Sequence, residues 1–577
     1  MSQIRQRLRV GLANLLWFGY AFVRSRRWKR AARDVVGTQA AVLQRILAAN
    51  AGSAFGREHH FADATSVAAY QRAVPLCSYE DMQAYIERIA RGQPQVLTTQ
   101  PVLQFGVTSG STRASKLIPY TKALIDEFQQ GIDPWVYYLF RRFPRILSGK
   151  TYWSLTPVGE RASHTAGGIA IGFNDEQQYF SALTRWVLNS IMAGSSQLAQ
   201  VSDMQVFRYL TLRLLLQERL LCWVSVWNPS FLTLLLDPLM HWLPQLCKDI
   251  AEGTLAVASQ IEAPLRESLL ARCIRHPARA RELERLGTAW QHRAATGTDH
   301  AGRTLYEAIW PRLRLISCWA HSNATLALPH LQTYFPHAAI QPKGLLATEA
   351  FISFPIKDDL SALSLRSHFF EFEEADAAAP LIRLAHELQA GQRYAVIVTT
   401  GGGLYRYRLN DLIEVVDFYQ RCPLLRFVGR QCNVVDICGE KLHEDFVRTS
   451  VAALLTKHAL NATFWMMAPE CPPDARPFYT LFLQFNSEIA SAEGLLPGVA
   501  QEIDREFEAN YHYAYCRRLG QLDGCRLFVL APHCESYHIY LTVCTDLGQR
   551  LGDIKPAALH AYQHWSQRFT GSFVQGP

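Results

Sequence analysis

The sequence predicts an α/β protein, with a large N-terminal body in which helices flank β-sheets and a small α+β unit at the C-terminal end. Three observations carry this. A chain of 577 residues is too long for one hydrophobic core, so at least two domains are required, one of them large. Apolar residues recur at helical spacing through much of the first 295 residues, whereas from Arg314 short apolar runs alternate with polar or glycine-bearing turns. The polar crossing Gly429-Arg430-Gln431 then opens a stretch with its own pattern, long enough to fold as a unit. The expected divisions are a basic and apolar N-terminal helix over 1–33, a body over 34–429 and a small domain over 430–577.

At the start, Val10 to Val23 is apolar and stands between two basic clusters. Fourteen residues containing Asn14 are too few to span a bilayer, where about 20 are needed. Arg24 to Arg30 occupy the place of a signal cleavage site. Two readings stay open: a helix packed on the body, or a basic amphipathic helix resting on an anionic membrane surface. Gln39 to Ala49 and Ser78 to Arg91 read as surface helices. A longer helical region is expected from about Lys122 to Asp249, broken near Pro134, 150–172 and Asn228-Pro229. Within it Leu210 to Leu221 is leucine-rich enough to be buried on most sides. Arg266 to Ala295 reads as a charged, solvated helical connector.

Strands are expected at Leu313 to Trp319, Ile340 to Ala347, Ala350 to Ile356, Phe369 to Phe372 and Tyr394 to Thr400. After the triplet Gly401 to Gly403, Leu404 to Arg408 and Leu412 to Phe418 read as a hairpin, followed by a strand at Leu425 to Val428. The last domain is expected to run helix Glu444 to His458, strands Ala462 to Met467 and Phe478 to Phe485, helix Gly498 to Tyr511, and strands Cys525 to Leu530 and Ser536 to Val543.

The net charge of +8 is local. Residues 1–33 hold nine Arg and Lys and no acid, which leaves 49 basic against 50 acidic residues beyond them. A neutral body argues against a nucleic-acid groove. Thirteen cysteines without a C-x-x-C pair argue for free thiols and a reducing compartment, with the cytoplasm as the default and peripheral membrane contact through 1–33 as the alternative.

The chemistry collects in four blocks. Thr108-Ser109-Gly110-Ser111-Thr112-Arg113-Ala114-Ser115-Lys116 sets five hydroxyls, a glycine and a lysine between two apolar runs. Small residues let backbone N–H groups converge, and a lysine adds positive charge, which suits a polyphosphate. It matches neither a Walker loop nor a dinucleotide fingerprint, and a Ser/Thr-rich surface turn is the competing reading. Gly344 to Glu349 is an apolar strand ending in a lone acid, able to hold Mg²⁺ beside phosphates or simply to sit exposed. Gly403 to Asp411 ends a run of aromatic and guanidinium groups in a carboxylate, which could accept hydrogen bonds from a ribose or form a structural Arg–Asp pair. Phe427-Val428-Gly429-Arg430 with Gly439-Glu440-Lys441 flanks the domain crossing with two cations, a charged linker being the bland alternative.

In this order, Thr108-Ser-Gly-Ser-Thr112…Lys116, Ala347-Thr-Glu349, Tyr407-Arg-Leu-Asn-Asp411 and Phe427-Val-Gly-Arg430…Gly439-Glu-Lys441 resemble the adenylate-forming (ANL) superfamily of acyl-CoA synthetases and luciferases. More closely they resemble the Gretchen Hagen family, the auxin-responsive acyl acid amido synthetases and their bacterial-type members. Phe55-Gly-Arg57, Val74-Pro-Leu76, Ser78-Tyr-Glu-Asp81 and Phe369-Phe-Glu-Phe372 support the likeness, which covers about 35 to 560. It implies an N-terminal domain that binds ATP and the acyl acid, a mobile C-terminal cap, and two half-reactions with ATP and Mg²⁺. A carboxylate would become an acyl-adenylate, then an amine, an amino acid in particular, would displace AMP to give an amide.

By motif position the resemblance gives Ser109, Ser111 and Thr112 to phosphate with Lys116 nearby. Glu349 would serve Mg²⁺, Asp411 the ribose, and Arg430 and Lys441 the adenylate. Gly110, Thr348 and Tyr407 stand in the same nucleotide motifs, and Gly552-Asp-Ile-Lys555 would bring a second lysine to the phosphate. Three departures stand out. Asn410 replaces a glycine before the ribose acid, but Asn tolerates the left-handed conformation. Ala114 replaces a loop glycine, and Leu345 replaces an aromatic expected to stack on adenine. The alternatives are a thiol ligase that passes the acyl group to coenzyme A, and a non-catalytic relative held at a membrane. Trp135, Tyr138, Trp153, Trp223 and Trp227 could line the acid pocket or be core aromatics.

Overall fold

The computed structural model describes residues 2–108, 116–154, 164–172, 182–296, 304–321, 324, 328–375, 381–430, 434–438, 440–472, 475–485, 496–547, 549 and 554–574. The chain divides into two compact units: a larger one of 1–321, 327–409 and 414–426, and a smaller one of 322–326, 410–413 and 427–577.

In the larger unit the N-terminal segment is a 30-residue helix, α1 (Ser2–Ala31). Val10, Ala13, Ala21 and Trp28 bury one stripe of it. Asn14 Nδ2 donates to the carbonyls of Leu147 and Gly149, both at 2.9 Å, so the polar residue that interrupts the apolar run clamps the helix down. The helix α2 (Val35–Asn50) follows, its first turn capped by the Asp34 carboxylate. After two short helices, Ala54–Glu58 and Val67–Ala73, comes α3 (Tyr79–Ala90), started by a capping box between Ser78 and Asp81.

Strands β1 (Gln104–Thr108) and β2 (Lys116–Tyr120) pair antiparallel with Thr108 opposite Lys116. The helix α4 (Lys122–Arg142) then runs through Pro134 instead of breaking there. Proline costs a helix about 3 kcal/mol. Burial of Trp135, Val136, Leu139 and Phe140 on the following turn, at roughly 1.5–3 kcal/mol each, outweighs that.

A parallel sheet is built from β3 (Lys150–Trp153), β5 (Leu221–Ser225), β6 (Leu315–Cys318) and β7 (Ala339–Pro342), adjacent in that order; the short β4 (Ala170–Ile171) joins β1. The leucine-rich stretch forms α5 (Met204–Leu216), whose residues Leu210 to Leu216 are all buried. Beside it pack α6 (Leu239–Glu252) and α7 (Pro277–Thr296). The solvated-connector reading of 266–295 is therefore corrected. Leu283 is fully buried, and the Arg279 guanidinium is buried where it donates to the carbonyls of Leu216 (2.9 Å) and Ile309 (2.7 Å). A charged residue can sit in a core when every donor finds an acceptor.

A seven-stranded sheet follows: β8 (Ser353–Lys357), β9 (Leu360–Leu363), β10 (Phe369–Glu374), β11 (Ile382–Leu384), β12 (Arg393–Thr399), β13 (Tyr407–Tyr419) and β14 (Cys422–Arg430), in the order β11-β10-β12-β13-β14-β9-β8. The hairpin expected within 404–418 is not there. Residues 407–419 form one strand, and the turn lies at Gln420, whose φ is 59°, so β14 is the neighbour. Asn410 adopts φ 61° inside β13, which bends the strand without reversing it.

In the smaller unit β15 (Val434–Val435) pairs with β16 (Leu442–His443), and α8 (Glu444–Lys457) follows. A sheet of order β17-β18-β19-β20 comprises β17 (Phe464–Glu470), β18 (Phe478–Gln484), β19 (Arg526–Leu530) and β20 (Gly571–Phe573), with helices α9 (Leu496–Phe507) and α10 (Tyr511–Arg518) between β18 and β19. The strand expected at 536–543 is instead a helix, α11 (Ser536–Asp546). Its buried residues Ser536, Tyr540, Leu541, Val543 and Cys544 follow a helical period although the apolar side chains also alternate along the chain. The place beside β19 goes to β20.

The twelve described cysteines are free thiols. No described helix is long and apolar enough to cross a membrane.

Candidate functional site

Residues 109–115, and with them Ser109, Gly110, Ser111 and Thr112, lie outside the described residues, as does Gly439. Their frame is described. The β1–β2 ladder closes at Thr108–Lys116, so 109–115 join the ends of two paired strands. Lys116 Nζ lies 3.9 Å from Glu80 and 5.0 Å from the centre of the Tyr79 ring. Tyr79 in turn accepts a hydrogen bond from the Leu117 amide at 2.9 Å. The Ser78-Tyr-Glu-Asp81 phrase is thus the helix start against which β2 begins.

Thr348 and Glu349 occupy the tip of a tight hairpin, closed by a hydrogen bond from the Ala347 amide to the Ala350 carbonyl at 3.0 Å and by the Leu346–Phe351 bridge. Gly344 is needed where this hairpin closes, because a Cβ there would lie 2.0 Å from the Ser353 carbonyl oxygen. The hairpin rests directly on β1 and β2. A Cβ on Gly106 would stand 2.8 Å from the Thr348 methyl, and Tyr120 Oη donates to the Thr348 carbonyl at 2.6 Å. The Glu349 turn therefore lies against the strand that leads into the hydroxyl-rich stretch 109–115.

Glu127 and His368 hold the same region from beneath, and motif reasoning missed both. Glu127 Oε2 accepts from the Gly401 amide and lies 2.9 Å from His368 Nδ1; His368 Nε2 accepts from the Phe351 amide at 2.9 Å. Since Nε2 accepts, Nδ1 carries the proton and donates to Glu127. Gly401 fits only because it has no Cβ, which would lie 2.7 Å from Glu127. A signal for Glu127 exists: it falls on the Leu124–Gly131 face of α4, an acid among buried residues.

The run before Asp411 proves structural at its arginines. Arg406, with φ 46°, binds both carboxylate oxygens of Glu371 and also donates to the carbonyls of Gln71 (3.0 Å) and Val74 (2.8 Å). Arg408 pairs with Glu373 at 3.0 Å. Tyr407 is 3% exposed, and its strand position bridges Cys77 of the Val74-Pro-Leu segment.

In the smaller unit Asp411 is 2% exposed, and its Oδ1 accepts from Arg430 Nε at 3.0 Å. Lys555 Nζ lies 5.8 Å from the Phe427 ring centre, so the segment around Lys555 meets the Phe-Val-Gly-Arg motif. Lys441 is exposed at φ 46°, immediately after buried Glu440, which accepts from the amides of Ile437 and Cys438, both at 2.8 Å. The structure thus joins Asp411 to Arg430, and Thr348 to the two strands that flank 109–115.

Of the tryptophans, Trp223 and Trp135 are 1% and 8% exposed and pack with Trp153, at 5.7 Å and 6.0 Å respectively, as core. Trp227 has the Lys343 ammonium 4.1 Å above its ring centre.

Comparison with known proteins gives a consistent result. The GH3 family N-terminal domain matches residues 24–340 and the GH3 family central domain matches 361–430. The chain is similar to the indole-3-acetic acid-amido synthetase GH3.10 of Arabidopsis thaliana, at 24% identity over 85% of this chain and 87% of the relative. It is also similar to the jasmonoyl–L-amino acid synthetase JAR4 of Nicotiana attenuata, at 22% identity over 91% of each. Its fold matches the solved GH3.15 acyl acid amido synthetase with a TM-score of 0.77, at 19% identity over 95% of this chain and 97% of that one.

Proposed function

The chain belongs to the GH3 family, and from that premise we propose that it joins a carboxylic acid to an amine with ATP as co-substrate. In the first step a carboxylate oxygen attacks the α-phosphorus, the α–β anhydride bond breaks, and acyl-adenylate and pyrophosphate form. In the second the amine nitrogen attacks the acyl carbon, the bond to AMP breaks, and the amide forms as the nitrogen loses a proton. One relative is named an indole-3-acetic acid-amido synthetase and another a jasmonoyl–L-amino acid synthetase; the second name supports an amino acid as the acceptor.

The contact of Thr348 with β1 and β2 supports this reading most, because it sets an acid-bearing turn beside the frame of a phosphate loop. Glu349 offers the hard oxygen donor that Mg²⁺ favours, and that ion, when bound, draws charge from phosphate oxygens. Ser109, Ser111, Thr112 and Lys116 hold phosphate, with Gly110, Thr348 and Tyr407 shaping the motifs around them. Asp411, oriented by Arg430, accepts from the ribose hydroxyls, while Arg430, Lys441 and Lys555 neutralise charge that grows on phosphate. Catalysis is then positioning and electrostatics, with no covalent bond to the protein.

Carboxylate-dependent exchange of labelled pyrophosphate into ATP tests the proposal. The protein supports exchange, and Glu349→Ala and Asp411→Ala each lower it by about 100-fold or more. Full exchange in both variants would reject the site. Candidate amino acids then yield amides, whereas thioester formation with coenzyme A alone would place the protein among thiol ligases.

A further inference from the structure

The helix α1 (Ser2–Ala31) has two apolar faces, and the larger unit uses only one of them. Val10, Ala13, Ala21 and Trp28 are 0–1% exposed on the inner face, where Trp28 Nε1 also donates to the Leu363 carbonyl at 3.1 Å. On the opposite side Ile4, Leu8, Leu12, Leu15, Leu16 and Val23 are exposed by 64%, 68%, 54%, 57%, 44% and 54%. Their spacing of three, four and seven residues makes one continuous outward stripe. Elsewhere among the described residues the exposed large apolar side chains are scattered singly or, at Tyr515 and Leu519, as one pair, as is ordinary for a protein surface; a stripe of six is not.

The charges around this stripe identify what covers it. Arg5 and Arg7 stand at one end and Arg26, Arg27 and Arg30 at the other, all exposed, and residues 1–33 contain no acid. An apolar stripe with basic groups at both ends matches an anionic lipid surface, in which acyl chains receive the leucines and headgroups receive the arginines. A second copy of the chain fits poorly, because pairing two such helices in either direction opposes two wholly positive segments. Packing against the body also forms the helix in advance, so binding does not carry the cost of folding it. The inner clamp at Asn14 keeps the helix lying along the protein.

We propose that the outward face of α1 docks this protein peripherally on anionic membranes, with the helix lying in the headgroup layer. The proposal is independent of the adenylation chemistry.

Flotation with phosphatidylcholine vesicles, with and without about 30% phosphatidylserine, tests it on the full chain. The native protein floats with the anionic vesicles about tenfold more than with the neutral ones, and 0.5 M salt, on the order of several times physiological, reduces recovery. A Leu8→Ser, Leu12→Ser, Leu15→Ser variant, altered only in side chains more than half exposed, loses about tenfold in recovery while keeping its circular dichroism and melting temperature. Equal recovery of variant and native protein overturns the proposal, as does equal flotation with both lipid mixtures. A concentration-dependent dimer in light scattering that the same three substitutions abolish also overturns it and gives the face to a second copy.

Discussion

Arg406 is held in a left-handed conformation that few residues other than glycine adopt, and its partners explain why. Its guanidinium satisfies a buried carboxylate and two carbonyls at the end of the short helix Val67–Ala73 at once, joining the segment before α3 to the seven-stranded sheet. Arg406→Lys cannot reproduce the fork, and Glu371→Gln leaves a buried guanidinium uncompensated; each should destabilise the larger unit by about 3–5 kcal/mol in chemical denaturation. His368→Leu removes the acceptor of the Phe351 amide and the donor to Glu127, a cost of about 1–3 kcal/mol, and should loosen the Glu349 turn enough to lower exchange activity. Lys343 behaves differently. Its ammonium donates to Ser225 Oγ at 2.9 Å, and burial pushes its pKa from 10.5 down to about 7. Between those values the unfolded chain binds more protons, so stability rises with pH across that window. Lys343→Met should therefore melt higher than the native protein at pH 7, by on the order of 2–4 °C, with the gap closing toward pH 10.5. The roles of these residues were illegible in sequence, because each depends on a partner tens to hundreds of positions away.

At the scale of elements, most helices and strands of both units follow from periodicity, and the exceptions at 536–546 and Pro134 arise from what packs against them. Residues 536–546 alternate apolar and polar side chains as a strand would, yet the space they occupy has one wet side and one core side at helical spacing. Pro134 fails to end α4 because its neighbours are buried by α1 and β8. In the smaller unit His560 lies beside Tyr540 and Trp565, with Nδ1 accepting from the Tyr562 amide at 3.1 Å. Burial lowers its pKa from 6.5 to about 4. Its contribution is complete above pH 6.5 and is lost as pH falls toward 4, because the unfolded chain takes up the proton first. His560→Asn, which keeps an acceptor and cannot titrate, should retain up to about 3 kcal/mol of stability at pH 4 that the native protein loses, read from the fluorescence of Trp565.

At the scale of the whole molecule, the candidate nucleotide residues are distributed over two units: Lys116, Thr348, Glu349 and Tyr407 in the larger, Asp411, Arg430, Lys441 and Lys555 in the smaller. Truncating a group that acts only on developing phosphate charge lowers turnover more than binding, so Lys555→Ala should reduce exchange by about 100-fold with little change in ATP affinity. Chelation of divalent cations should abolish exchange and its restoration by Mg²⁺ should be complete.

The chain by itself determined the α/β class, the order of the four chemical blocks and the wholly basic N-terminal segment, because each is written in neighbouring residues. Tertiary structure alone decided that Arg406 and Arg408 serve Glu371 and Glu373, that Glu127 and His368 brace the Glu349 turn, and that α1 leaves an apolar face outward. Those outcomes depend on which distant surfaces meet, and pairing across hundreds of residues leaves no local pattern to read.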